Sequence, residues 1–135
     1  HIPVKDVLIH NKENWQVQHW RTLTSVYRRS PYFEHYEGML QRLFETRYEL
    51  LADLNRDALQ WVMAQLRLKT ELTATEIYEK EYPNEVQDIR NVKAGSVVHP
   101  KYYQVFEDRT GFLPNLSILD LLFSEGPAAM NILKG

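Results

Sequence analysis

Three side chains stand where their types suit proton transfer or substrate holding. His19 follows Trp15 by four residues in a stretch, Trp15 to Arg29, whose apolar residues recur at helical spacing. It shares a stripe with Trp15, Thr22 and Val26, so it faces either the interior or a cleft. In a cleft it suits general acid–base work or a bond to a substrate phosphate, because histidine titrates closest to neutrality. In the interior it is a hydrogen-bonded core histidine. Asp120 follows Ser117 by three residues, with Ser124 further along the same face. The pair reads as a capping box or as a polar stripe turned toward substrate, in which Asp120 anchors a hydroxyl or an amine. Gln104 lies in the run Lys101-Tyr102-Tyr103-Gln104-Val105-Phe106. A buried amide among aromatics must bond something, either a backbone group or a ligand that Gln104 and Tyr103 would orient. Arg21, Arg28 and Arg29 form a solvated face or an anion clamp on the His19 helix.

Other chemistries are excluded or weakened. The 135 residues contain no cysteine, so no disulfide, thiolate metal site or cysteine nucleophile exists in this chain. The five histidines, at 1, 10, 19, 35 and 99, show no HxH, HExxH or HxxxH spacing, and no metal site is expected. Neither GxxxxGK[ST] nor GxGxxG occurs. Ser117, His99 and Asp120 compose a triad only on paper, since the GxSxG elbow is absent. Sixteen Lys+Arg against eighteen Asp+Glu give a net charge of −2, which is no electrostatic footprint for nucleic acid. No apolar run approaches the roughly 20 residues that cross a bilayer. Cytoplasm is therefore the expected compartment.

The elements that must position these residues follow from pattern. Val4, Val7 and Ile9 suggest a strand over 2–9, Thr70 to Thr75 a second, and the alternation over 101–106 a third. Asn14 caps the Trp15–Arg29 helix, and Ser30-Pro31 opens another that runs to Phe44. Gly38 inside that helix implies a close packing contact. Tyr48 to Leu54 reads as a short helical turn, after which Asn55 caps a new helix carrying Ala58, Leu59, Val62, Met63 and Leu66. Ile77 to Tyr82 suggests a helical turn, and the polar stretch 84–95 a loop with a turn of helix near Val86 to Ile89. Asp108 to Gly111 is turn chemistry. Ser117 starts a helix that Gly126 and Pro127 end, and a last one spans Ala128 to Leu133. Three strands separated by helices predict an α/β fold. It would be helix-rich, with a small parallel or mixed sheet and sites near the strands' carboxyl ends.

The run Lys101 to Phe106 followed by Gly111-Phe112-Leu113-Pro114-Asn115-Leu116-Ser117-Ile118-Leu119-Asp120-Leu121-Leu122-Phe123 and Glu125-Gly126 resembles the closing signature of the WbqC-like protein family. Trp15, Gln18-His19-Trp20, Tyr27 and Ser30-Pro31-Tyr32-Phe33 with Tyr36 form a second block similar to that family, and Asp88-Ile89-Arg90 a third. The resemblance implies a bacterial cytoplasmic protein tied to O-antigen or other surface-polysaccharide assembly. Its implied activity is a glycine- or aminoacyl-transferase, or a glycosyl-type transferase, taking an activated sugar or aminoacyl donor. A non-catalytic helical interaction module is the alternative. On the transferase reading His19 and Asp120 are the catalytic candidates, while Arg21, Tyr103, Gln104, Asn115 and Ser117 hold substrate. No cofactor is assigned. Family members begin with a further segment, whereas this chain opens at Pro3-Val4. It is therefore expected to be a single domain forming about two-thirds of a longer protein, with an open sheet edge that favours a homodimer.

Overall fold

The computed structural model describes residues 1–93 and 98–135. Among the described residues six α-helices are set along the chain: α1 (Trp15–Tyr27), α2 (Phe33–Glu45), α3 (Leu51–Gln65), α4 (Glu107–Thr110), α5 (Ile118–Glu125) and α6 (Ala129–Lys134). The described residues contain no β-strand, so the expected α/β sheet is not there. Its three strands fail for separate reasons. Pro3 leads into a 3-10 turn over Val4–Asp6, which leaves only Val7 to Ile9 to pair. That short piece meets Glu49 to Leu51 in one antiparallel bridge, with the Ile9 amide donating to the Glu49 carbonyl at 2.9 Å and the Leu51 amide to the Val7 carbonyl at 3.0 Å. Thr70 to Thr75 is exposed along its length and pairs with no segment among the described residues. The alternation expected over 101–106 holds only to Gln104, with Tyr102 and Gln104 turned in and Lys101 and Tyr103 out, and reverses at half-buried Val105 and exposed Phe106; side chains rather than a backbone ladder dock the segment.

The core lies where α2 meets α5. Phe33, Tyr36 and Leu40 repeat at three and four residues on α2, so one face of the helix is apolar and buried. The α5 helix is buried nearly all round, from Asp120 through Ser124, as befits a central element. Phe123 joins the two helices: its ring centroid lies 5.2 Å from that of Phe33, 4.9 Å from Tyr27 and 6.4 Å from Tyr36. Such tilted and edge-on aromatic pairs add to plain area burial. The core-facing edge of α1 is the half-buried row Trp20, Leu23 and Tyr27, beside the one that carries His19.

Helix ends follow the sequence in part. The Ser117 hydroxyl caps α5 by accepting from the Leu119 amide at 3.2 Å, but Asp120 does not complete a capping box. Gly126 ends α5 at a φ of +54°, and a Cβ there would collide with the Tyr32 ring. Asn14 stands at the start of α1 with no bond from its side chain. The Ser30 hydroxyl donates to the Tyr27 carbonyl and so closes α1 rather than opening α2. Gly38 meets open space, not a close neighbour. The break expected before Asn55 is absent, since α3 runs through it. Arg67, at a φ of +57°, closes α3 with the 6→1 and 5→2 bonds of a Schellman motif, made by the Leu68 and Arg67 amides.

Between α3 and α4 the described residues form no helix or strand, so neither helical turn expected there is present; positions 94 and 95 of the expected loop lie outside the described residues. Arg90 organises this stretch. Its guanidinium grips both Asp88 carboxylate oxygens, at 2.9 and 2.6 Å, and donates to the Glu79 carbonyl at 2.8 Å. It also lies over the Tyr82 ring at 4.8 Å. The Arg90 bonds hold the Asp88 carboxyl at about 2, below the usual carboxylate range.

Candidate functional site

A cleft of about 660 Å³ lies between α1, α2 and α3, within the size range of small-molecule sites. Its presence follows from how the helices are filled. Leu40, Leu43 and Phe44 turn one side of α2 toward α3, while Ala58, the small residue at the middle of the facing α3 wall, leaves room between them. Trp61 and Val62 close one end and Leu119 of α5 also lines it. The antiparallel bridge at Leu8 and Leu50 brings Ile9, His10 and Glu13 to the cleft, where they join Trp15 and His19 of α1. The Trp15 and His19 rings meet edge to face at 5.3 Å. His19 is exposed, so its imidazole is reachable by solvent while it borders the cleft. The Trp61 indole N–H is buried without an acceptor.

Asp120 lies elsewhere. It is 4% exposed and accepts two phenol hydroxyls, from Tyr27 of α1 at 2.9 Å and from Tyr102 at 2.7 Å. Burial first, then the bond to Asp120, pushes the Tyr102 phenol up to about 12 and the Tyr27 phenol higher still. The carboxylate thereby ties together α1, α5 and the extended 101–104 segment. Gln104, 3% exposed, is likewise engaged internally. Its amide nitrogen donates to the Leu113 carbonyl at 2.8 Å and its amide oxygen accepts from the Leu113 amide at 2.9 Å. This reciprocal pair copies one rung of a β-ladder with a side chain, and it satisfies a buried amide fully on that side.

The remaining predicted residues are scattered. Asn115, at a φ of +60°, and Ser117 border a smaller hollow of about 220 Å³ with His99, Tyr102 and Phe112. Tyr103 is 61% exposed. Arg21 is exposed and pairs with no carboxylate among the described residues. The structure therefore brings Asn115 and Ser117 together, places Asp120 and Gln104 in the packed interior, and leaves His19 in a different cleft from all of them. No group of three or more His, Asp or Glu able to hold a metal occurs among the described residues, and none of their helices is long and apolar enough to cross a membrane.

Sequence reasoning missed His10, Glu13, Asn55 and Trp61 as companions of His19. The i, i+4 pairing of Trp15 with His19 was a usable signal for one wall. The other residues come from segments that only the tertiary fold brings near.

No curated protein and no solved structure matches the chain. A family model does match, over residues 1–95. The matched stretch includes the block from Trp15 to Tyr36 and the Asp88-Ile89-Arg90 element, and it stops short of the run that starts at Lys101. Covering well over half of the 135 residues, this match shows that the chain belongs to the WbqC-like protein family.

Proposed function

We propose that the chain is the substrate-holding portion of a transferase in bacterial surface-polysaccharide assembly, working in the cytoplasm, and that it takes its substrate in the cleft between α1, α2 and α3. The observation that carries this reading is the cleft itself: a concave, mostly apolar hollow of about 660 Å³ with His10, Glu13, His19 and Asn55 among its few polar groups. Such a site holds a ligand by its apolar walls and orients it by a small number of polar contacts. His19 is the acid–base candidate, since its imidazole borders the cleft and is open to solvent. Asp120 and Gln104 act structurally in this proposal, and Arg21, Tyr103, Asn115 and Ser117 lie outside its site.

The test is a transfer assay. The chain is incubated with nucleotide sugars and aminoacyl donors, and products are followed by mass spectrometry. His19→Ala is expected to abolish transfer while the protein keeps its far-UV circular dichroism and melting temperature. Transfer unaffected by His19→Ala would remove His19 from the chemistry.

A second reading, a non-catalytic helical interaction module, is favoured by one observation. His19, Gln104 and Asp120 share no cleft, and the latter two already have internal partners. On that reading no donor is consumed, and substitutions at all three residues change stability alone.

A further inference from the structure

We infer that the cleft between α1, α2 and α3 receives the aliphatic tail of an amphiphile, whose polar head stays at His10, Glu13 and His19. This inference rests on the cleft being the substrate site, and it narrows what that substrate is. The walls decide the ligand's chemistry. Leu40, Leu43, Phe44, Leu54 and Val62 offer no hydrogen-bonding side-chain atoms. A sugar ring or an amino acid seated among them would leave several donors and acceptors dry, each at a cost of about 1–3 kcal/mol. A hydrocarbon tail loses nothing there and gains from leaving water.

One further feature favours an amphiphile over a plain hydrocarbon. The polar lining residues His10 and Glu13 sit on one short segment beside Trp15, and His19 lies one helical turn further along α1. They lie within one stretch of ten residues and, with Asn55 of α3, are the polar side chains of an otherwise apolar lining, as a head-and-tail ligand requires.

Isothermal titration of the full chain with inorganic phosphate and with butyl, hexyl and octyl phosphate, each below its micelle concentration, tests this. Inorganic phosphate is expected to give no heat of binding. Affinity should rise about fourfold per added methylene, the equivalent of about 0.8 kcal/mol per buried CH₂, with one tail bound per chain. Ala58→Trp, which places an indole in the cleft, should abolish the rise, and the milder Ala58→Gln should flatten it. A flat series in the unaltered chain overturns the inference, and that result needs no variant to fold. A steep series that survives in a folded Ala58→Trp or Ala58→Gln protein puts the tail elsewhere and also overturns it. A nucleotide sugar that binds and is lost in Ala58→Trp, beside a flat alkyl series, refutes the tail while leaving the cleft as the transferase site. A steep, cleft-dependent series with no transfer activity upholds the tail and removes the transferase reading.

Discussion

Removing the Asp120 carboxylate should destabilise the protein severely, because two phenols lose their carboxylate partner at once. Tyr27 and Tyr102 donate to it at 2.9 and 2.7 Å, from α1 and from the segment after residue 98. A hydrogen bond to an ionised group contributes about 1.5–3 kcal/mol, and a buried donor left unpaired costs about 1–3 kcal/mol. Both phenols are only part-buried, so each regains some water when Asp120 is gone. For Asp120→Ala a total loss of about 3–4 kcal/mol follows, a large share of the roughly 5–15 kcal/mol that holds a domain folded. At an m-value of about 2 kcal/mol/M the urea midpoint falls by roughly 1.5–2 M. Asp120→Asn keeps one carbonyl acceptor and should lose about half as much. Urea unfolding followed by circular dichroism measures all three proteins, with Tyr27→Phe and Tyr102→Phe made alone and combined with Asp120→Ala. In the combined forms each Tyr→Phe change should cost little, which gives a coupling energy of about 1 kcal/mol or more per pair. An Asp120→Ala protein within 1 kcal/mol of the parent, or strictly additive cycles, would refute the reasoning. Abolished transfer by Asp120→Asn at unchanged stability would instead return Asp120 to the chemistry.

Two glycines should respond in opposite directions. Gly38 faces open space in the middle of α2, so Gly38→Ala should raise stability by about 1 kcal/mol in thermal or urea unfolding. Gly126→Ala should lower it by about 2–5 kcal/mol, since the residue combines a φ of +54° with a Cβ position inside the Tyr32 ring, and Tyr32→Ala should restore only part of the loss. Stability should fall in alkali. Folded Tyr102 and Tyr48 ionise near 12 rather than 10.0, so the folded state holds protons that the unfolded chain releases, and the stabilisation present below pH 10.0 is lost as the pH rises toward 12. Phenolate absorbance and circular dichroism recorded together through that window check it, and phenols that titrate at 10.0 in the folded protein would sink the claim. Arg90→Lys removes a bidentate grip and a stacked cation, so limited proteolysis should cut between Tyr78 and Arg90 faster while the melting temperature stays within a degree or two.

The helices were legible because their signals are local. Phe33, Tyr36 and Leu40 carry the α2 core face in their spacing alone, and Ser117 and Gly126 bracket α5 by capping chemistry that a few residues decide. The strands were not legible for the converse reason. Tyr102 and Gln104 alternate in burial with Lys101 and Tyr103, which is the pattern of a strand face. Whether such a segment becomes a strand depends on a neighbour to pair with, and no property of residues 101–106 announces that the neighbour is missing. At Asn55 a good capping residue was overruled, because α3 continues with Leu51 and Leu54 on one side of it and Ala58 and Val62 on the other, all lining the same cleft.

Asp120 and Gln104 stand out in the sequence as polar residues amid apolar ones, and in the structure both are buried and bonded internally. Each side chain is 3–4% exposed and already holds two internal hydrogen bonds, which leaves little of it open to a substrate. Asp120 joins positions 93 and 18 residues apart, and Gln104 fixes a backbone nine residues away. These bonds take the place of the sheet, since a chain stretch with no ladder partner must satisfy and anchor itself through side chains. On the proposed transferase reading, the chemistry falls to polar side chains that remain unspent. Among the sequence-predicted catalytic residues, only His19 meets that condition: it borders the large cleft and stays open to water.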